Sequence, residues 1–419
     1  MKLVTTLRSP KISNSTGCLL KDLMDKHGVS RKMLYTEAGV SRSYLSDFLK
    51  GESVTKFHKV LDILKSFDTI TDSNHEEILM KKFIAEMDEK IELIHGAMWY
   101  CDKNNYLKEL DHLTRVAKSH HNEMLRETGR LYRINYLRKK EYEKLVKISN
   151  NSNNNKKRIS RRNKLLRLLG LVEILKTSNT ENRVLKKILK AYLKNDLQFF
   201  KETQAELTGI KKLFKEVEDN TLKITFEVKL NELLQFVSVR NLCDFEKAKE
   251  YSREGLAKSF SIKNDAGCYV TFGEADMFYN PDEAIKNFNK AIQLYDRIGM
   301  KEVAVLIMKK IQFTQIHWGF DVKLEEIIHE QNKAYWLIKH GRNKEAVEIL
   351  DRIDSKDSLQ AQRLWLRGLA TSDPTYHWLS LEDYSNRGEK LFGKLPRNEL
   401  IKLGENPVGV NALYRNGGF

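Results

Sequence analysis

Hydrophobic residues recur at three- and four-residue spacing along most of the chain, which predicts helices from end to end. Beyond residue 72 nearly every window shows this period, as in EEILMKKFIAEMDEKIELIHGAMWY and NRVLKKILKAYLKNDLQFF. Strand-like alternation is confined to TLKITFEV, which also suits the start of a helix. Since only five prolines interrupt 419 residues, the pattern predicts an all-α fold.

The stretch RKMLYTEAGVSRSYLSDFLK, residues 31–50, has the spacing of a helix-turn-helix. The apolar faces of its two helices are formed by Leu34 and Ala38 and by Val40, Leu45, Phe48 and Leu49. Gly39 can adopt the positive φ that the turn needs, and the hydroxyl of Ser41 can cap the second helix. The amphipathic segment VTKFHKVLDILKSF then supplies a further helix of a compact domain.

The second of these helices carries polar side chains that suit DNA. The candidates for DNA contact are Ser41, Arg42, Ser43, Tyr44 and Ser46. Such side chains can hydrogen-bond base edges and phosphates, and the major groove admits a helix. We therefore predict a DNA-binding domain over residues 1–70, with a double-stranded DNA operator as partner. The alternative is an ordinary helix–helix turn.

Internal similarity predicts a second kind of domain. FEKAKEYSREGL, residues 245–256, aligns with PDEAIKNFNKAI, residues 281–292, and pairs Ala248 with Ala284 and Gly255 with Ala291. Small residues where paired helices cross, at a period near 34 residues, are typical of tetratricopeptide repeats. Further copies are predicted around Ala334 and Ala346 and around Gly368 and Ser380. We expect an α-superhelix over residues 221–406, with a concave surface for an extended peptide; generic helix pairs are the alternative.

Two other stretches are expected to be less regular. Residues 71–220 are predicted to be a helical linker with degenerate repeats, interrupted at 149–164 by the polar loop SNNSNNNKKRISRRNK. The C-terminal tail, residues 407–419, contains Pro407, Gly409, Gly417 and Gly418. These residues disfavour a full helix at the end of the chain.

The net charge of +16 suggests a polyanionic partner. Most of the surplus lies in two places, since residues 131–170 hold thirteen Lys or Arg against two Glu and residues 1–60 hold eleven against five acidic residues. The first segment is either a contact for the DNA backbone or a solvated charged face.

The sequence lacks the motifs of metal-binding proteins, enzymes and membrane proteins. Cys18, Cys101, Cys243 and Cys268 have no metal-binding spacing, so neither a metal nor another cofactor is expected. No nucleophile elbow or phosphate-binding loop indicates catalysis. The chain has no signal-peptide pattern and no apolar run of membrane-spanning length. We expect a cytoplasmic protein that is not an enzyme and has no membrane partner.

Two segments resemble the arbitrium receptor (AimR) family of Bacillus phages. LYTEAGVSRSYLSDFLKGESVTKFHKVLDILKS is similar to its DNA-binding domain, and LRGLATSD with KLPRNELIKLGEN, residues 394–406, is similar to its C-terminal repeats. The resemblance implies a regulator of the lysis–lysogeny decision in the bacterial host cell. It also implies a homodimer that binds an operator and releases it when a short secreted phage-encoded peptide fills the repeat groove.

A peptide groove needs amides for the ligand backbone and a carboxylate for a ligand guanidinium. The candidates are Asn231, Asn241 and Glu389, of which Glu389 lies where the family places an acidic residue. The chain departs from the family at its end, where a short apolar helix usually pairs two protomers. A repeat protein that acts on a protein partner is the alternative function, although the absence of glutamine before Gln198 argues against a glutamine-dependent phosphatase.

Overall fold

The computed structural model describes residues 15–52, 56–87, 90–148, 155–218, 220–258, 261–354 and 360–416. All regular secondary structure in these ranges is helical, which confirms the predicted all-α class. Contacts divide the chain into two compact units, Met1–Tyr136 and Leu137–Phe419.

The first unit contains the helix-turn-helix. Its helices are Thr16–His27 (α1), Arg31–Glu37 (α2), Arg42–Leu49 (α3), Phe57–Thr71 (α4), Glu76–Glu86 (α5), Ile91–Asn104 (α6) and Leu107–Ser119 (α7). Helix α8, Glu123–Ile148, begins in this unit and ends in the second. The core is formed by apolar residues at helical spacing, among them the fully buried Leu20, Leu34, Ile63, Leu64 and Phe67.

The second unit is a succession of paired helices. They are Asn155–Ile174 (α9), Thr180–Asp196 (α10), Phe200–Leu207 (α11), Ile210–Leu213 (α12), Asn220–Val237 (α13), Phe245–Ala257 (α14), Ile262–Asp276 (α15), Pro281–Arg297 (α16), Lys301–Trp318 (α17), Glu330–Lys339 (α18), Asn343–Asp354 (α19), Ala361–Thr371 (α20), Pro374–Arg387 (α21), Lys390–Lys402 (α22) and Pro407–Asn416 (α23). Short 3-10 turns lie at Phe214–Glu216 and Leu324–Glu326, and a π-helical turn lies at Ser238–Leu242.

Small residues lie where consecutive helices of this unit cross, as the repeat pattern predicted. Ala248, Ala284 and Ala291 are fully buried. A Cβ atom added at Gly273 would lie 2.5 Å from the Phe288 ring, so only glycine permits this approach. The repeats therefore pack as a helical superhelix.

Two predictions about irregular segments are wrong. Residues 155–164 of the expected polar loop lie in α9, and residues 149–154 lie outside the described residues. Residues 407–416 form α23, because the Asn406 side chain accepts from the backbone N–H of Val408 at 3.0 Å and Pro407 presets the φ of the first helical position. Val410 is fully buried against Leu381 and Leu400, which fixes the helix in place.

The stretch at 71–220 is divided between the two units. Helices α5, α6 and α7 lie in the first unit, where α5 packs on α1 and α4, while α9 to α12 lie in the second. The sequence TLKITFEV lies within α13. The boundaries at residues 70 and 220 stay a prediction.

Candidate functional site

Local contacts fix the position of α3. The hydroxyl of Ser41 accepts a hydrogen bond from the Tyr44 backbone N–H at 3.2 Å, and Gly39 takes a φ of 62° in the turn before it. Leu45 and Phe48 bury the inner face of the helix. The predicted cap and turn are therefore present.

The predicted DNA contacts fall into two groups. Ser41, Arg42 and Ser43 are exposed, and Arg42 makes no ion pair or side-chain hydrogen bond with any described residue. Tyr44 and Ser46 are half-buried. Because the Tyr44 hydroxyl donates to the Lys56 carbonyl at 3.0 Å, this ring holds the chain after α3, and burial raises the pKa of its phenol. Arg42 and Ser43 are thus the side chains most available to DNA.

In the second unit, a π-helical turn positions two adjacent polar residues. The turn extends α13 over Ser238–Leu242 and ends at Cys243, whose φ of 53° lies in the left-handed region. Such turns are uncommon and occur frequently at functional sites. This one directs Arg240 and Asn241 into the unit, where Asn241 is 5% exposed.

Arg240 joins a cluster of alternating charges, which we call the charge cluster: Arg240, Glu274, Lys310 and Glu389, with both carboxylates buried and both cations partly buried. The guanidinium Nε lies 3.1 Å from Glu274 Oε2, and its Nη1 lies 2.9 Å from Glu389 Oε2. Lys310 also pairs with Glu274. Two cations and two carboxylates compensate one another here, as buried charges require.

The two carboxylates of the charge cluster differ in environment. Burial raises the pKa of Glu274, but Arg240 and Lys310 together outweigh it and bring that pKa to about 2. Burial also raises the pKa of Glu389, and Arg240 offsets this only in part, so that pKa stays above its ordinary value. Glu389 Oε1 is buried without a hydrogen-bond partner among the described residues, although the nearby Phe392 backbone N–H adds a small effect to that of Arg240 in lowering the pKa of this carboxyl. Glu389 can therefore accept a further donor.

The structure brings together two of the three predicted peptide contacts. The Asn241 side chain donates to the Gly388 carbonyl at 2.9 Å, which places it beside Glu389 at the start of α22. Asn231 lies elsewhere on α13 and donates to Glu254 Oε2 at 2.9 Å. It lines a cleft of about 390 Å³ with Phe214, Lys215, Lys223, Glu227, Leu230, Glu254 and Lys258. All three predicted residues are buried and hydrogen-bonded within the chain.

Arg240, Glu274 and Lys310 were missed in the sequence. A signal for Arg240 was present, because it follows the apolar run LLQFVSV and a cation in such a run needs a buried carboxylate. Nothing local identified its partners, since Glu389 lies 149 residues away.

The described residues contain neither a metal-binding group nor a helix suited to a membrane. Within the described residues, no three His, Cys, Asp or Glu side chains are grouped so as to hold a metal ion. None of the helices in those ranges has both the length and the apolar character to span a membrane.

Comparison with known families agrees with both units. A helix-turn-helix model matches residues 20–71. The AimR transcriptional regulator-like model matches residues 76–402, most of the chain. The chain belongs to the AimR transcriptional regulator-like family. It is a transcriptional regulator with a DNA-binding helix-turn-helix, and its family is not one of enzymes.

Individual AimR proteins are similar along most of the chain. The AimR transcriptional regulator of Bacillus phage SPbeta is 24% identical over 408 residues, which cover 92% of this chain and 95% of the relative. The AimR transcriptional regulator of Bacillus phage phi3T is 23% identical over 346 residues, covering 81% and 85%.

Two solved AimR structures have the same fold. The structure of SeMet-phAimR has a TM-score of 0.64 at 19% identity and covers 96% of this chain and 100% of its own. That of phAimR-Ligand also has a TM-score of 0.64, at 18% identity, and covers 82% and 96%.

Proposed function

We propose that the protein is a peptide-responsive regulator of a phage lysis–lysogeny decision, which binds an operator through α3 and changes that binding when a short phage-encoded peptide occupies the second unit. The observation that carries the proposal is that one chain holds both a capped helix with exposed Arg42 and Ser43 and a charge cluster in which one buried carboxylate oxygen has no hydrogen-bond partner among the described residues. Membership of the AimR family supports it.

The charge cluster offers the chemistry that a short peptide requires. A peptide guanidinium or α-amino group at Glu389 Oε1 would supply the missing donor and favour the ionised carboxylate. A peptide carboxylate would be attracted to Arg240 and Lys310. Asn241 lies beside the same carboxylate, and its side-chain amide could hydrogen-bond to the peptide backbone if its hydrogen bond to the Gly388 carbonyl were broken.

The cleft at Asn231 is a second place for part of the peptide. Its volume of about 390 Å³ lies within the usual range for ligand sites, roughly 300–1,000 Å³. Lys215 and Lys223 form no ion pair with any described residue, so both can receive a carboxylate. We include Asn231 as a peptide contact on this basis.

A homodimer would place two α3 helices on two operator half-sites. Helix α23 supports pairing near the C-terminus because Val408 is 77% exposed and Leu403, at the end of α22, is 48% exposed. A second copy of the chain could cover these side chains. Light scattering of the wild-type protein and of a Val408→Asp variant would test this step, since the variant is expected to be monomeric.

Operator binding with and without peptide tests the whole proposal. We would titrate the full chain into labelled DNA from upstream of its gene and add the peptide of the adjacent short reading frame. The wild type should bind in a salt-dependent manner, and the peptide should change its affinity about tenfold or more. Binding that depends on neither DNA sequence nor peptide would overturn the proposal.

A further inference from the structure

Helix α9 has one buried face and one exposed apolar face. Leu165, Leu168 and Val172 are buried, on the side of the helix that packs against α10. Leu166, Leu171 and Ile174 are 40%, 47% and 76% exposed. Large apolar side chains grouped on a surface often indicate an interaction site.

Gly170 lies at the centre of this exposed face. It follows Leu166 by four residues and precedes Ile174 by four, so all three lie along one side of the helix. A Cβ atom added at Gly170 would have no atom of a described residue within 4 Å. Glycine lowers helix stability, and no contact with the described residues requires it here. Its absence of a side chain leaves a notch between Leu166 and Ile174.

Basic side chains border the notch. Arg162 and Arg167 are exposed, and Arg167 forms no ion pair with any described residue. The guanidinium of Arg162 lies 5.5 Å from the centre of the Phe199 ring. Glu173, the only acidic residue of α9, is paired with Lys190 at 3.4 Å. The α9 face, which we define as Arg162, Leu166, Arg167, Gly170, Leu171 and Ile174, therefore has an apolar line, Leu166, Gly170 and Ile174, with one arginine on each side of it.

We propose that the α9 face binds an acidic amphipathic helix of a partner protein. An apolar stripe on that helix would fill the notch, and acidic side chains beside the stripe would meet Arg162 and Arg167. Helices approach most closely where one of them lacks a side chain, as at Gly170. This goes beyond DNA and peptide binding, because it assigns a protein partner to a separate surface.

Charge and composition argue against the other occupants. A second copy of α9 would bring like charges together. Residues 1–14 of this chain contain three basic and no acidic residues, so they do not complement the face either. A DNA backbone would pair with the arginines but would leave Leu166, Leu171 and Ile174 without apolar contacts.

Synthetic helices provide a direct test with the full chain. The probe is a labelled peptide of roughly 21 residues, three heptads, with Leu at the a and d positions and Glu and Ala elsewhere. The matched control peptide has Lys in place of every Glu. We expect the acidic peptide to bind about tenfold more tightly than the basic one, with an affinity that falls as salt is added.

Variants of exposed residues locate the binding surface. Ile174→Asp, Gly170→Leu and the double variant Arg162→Gln/Arg167→Gln should each weaken the acidic peptide about fivefold or more, without loss of helix content. Ile78→Asp is the matched control, because Ile78 is 68% exposed in the first unit, and it should bind the peptide like the wild type.

Four outcomes would overturn the proposal. The first is equal binding of the two peptides, and the second is acidic-peptide binding that the α9 variants leave unchanged. The third is a protein that does not bind the acidic peptide but binds DNA non-specifically, with the DNA binding lost when Arg162 and Arg167 are replaced. The fourth is self-association of the chain that Ile174→Asp abolishes. The third would make the α9 face a phosphate-binding surface, and the fourth would make it a contact between copies of this chain.

Discussion

Helix α3 and the charge cluster show two ways of presenting polar groups to a ligand. In α3, Ser41 caps a helix that starts at the next residue, and Arg42 and Ser43 extend into solvent. In the charge cluster, Arg240 reaches a carboxylate 149 residues away; that carboxylate is buried, and the Arg240 side chain is 15% exposed. The first arrangement depends on local sequence and the second on the assembled fold. Substitutions should therefore affect binding in the first and stability in the second.

The largest expected effect is on stability, at Glu274. Arg240 and Lys310 bring the pKa of its carboxyl to about 2, from an ordinary value of 4.5. At about 1.4 kcal/mol per pKa unit, Glu274→Gln should lower the free energy of unfolding by about 3 kcal/mol at neutral pH. Denaturant unfolding of the second unit would measure this loss.

The matched control is Glu389→Gln. Burial outweighs Arg240 at this carboxyl, so its replacement by a neutral amide should cost far less than the change at Glu274. Equal losses in the two variants would show that the two carboxylates do not differ as described.

The next effect is on DNA binding, at α3. The double variant Arg42→Ala/Ser43→Ala should lose operator affinity roughly ten- to a hundredfold, because one good bidentate contact of an arginine to a base contributes about 1–3 kcal/mol. Its unfolding midpoint should not change, since both side chains are exposed. Lys286→Ala is the control, a basic residue of the second unit that is 74% exposed. An operator affinity unchanged in the double variant would show that α3 does not bind DNA.

Two caps separate stability from recognition within the first unit. Ser30 and Ser41 each accept a backbone N–H at 3.2 Å, at the starts of α2 and α3. Ser30→Ala and Ser41→Ala should each cost about 1 kcal/mol of unfolding free energy. Only Ser41→Ala should also weaken the operator complex, because its hydroxyl lies at the exposed start of α3. If both variants lose operator affinity equally, Ser41 acts only as a cap.

The same pKa shifts predict a pH dependence of the unfolding free energy, with opposite signs at the two carboxylates. Stabilisation by Glu274 is present above pH 4.5 and is lost as the pH falls toward 2, because its folded pKa is lowered. At Glu389 the folded pKa is raised, so its ionisation costs stability as the pH rises from 4.5 through that pKa. In Glu274→Gln, the unfolding free energy should no longer fall as the pH falls from 4.5 toward 2. In Glu389→Gln, it should no longer fall as the pH rises above 4.5. Identical pH profiles in both variants would contradict the assignment.

The features that the sequence predicted correctly are those that depend on local sequence and not on the assembled fold. Gly39, Ser41 and the repeat positions Ala248 and Ala284 were identified correctly, because their roles depend on neighbours at helical spacing. Helix α23 was not predicted, although Asn406 and Pro407 form a recognisable helix start, because the glycines of the tail disfavour a helix.

The charge cluster could not be predicted in the same way. Its geometry needs the π-helical turn at Ser238–Leu242, which has no sequence signature in this chain, and pairs that join α13, α15, α17 and α22. Glu389 was singled out by family resemblance, whereas its pairing with Arg240 required the fold.

The most direct test of a link between the charge cluster and DNA is operator binding by Glu389→Gln, with and without the candidate peptide. We predict that the variant binds the operator like the wild type but that the peptide no longer changes the affinity for the operator. The reason is that a neutral amide cannot form an ion pair with a cationic group of the peptide. A variant that responds to the peptide as fully as the wild type would contradict the role of Glu389 and move the peptide site away from the charge cluster.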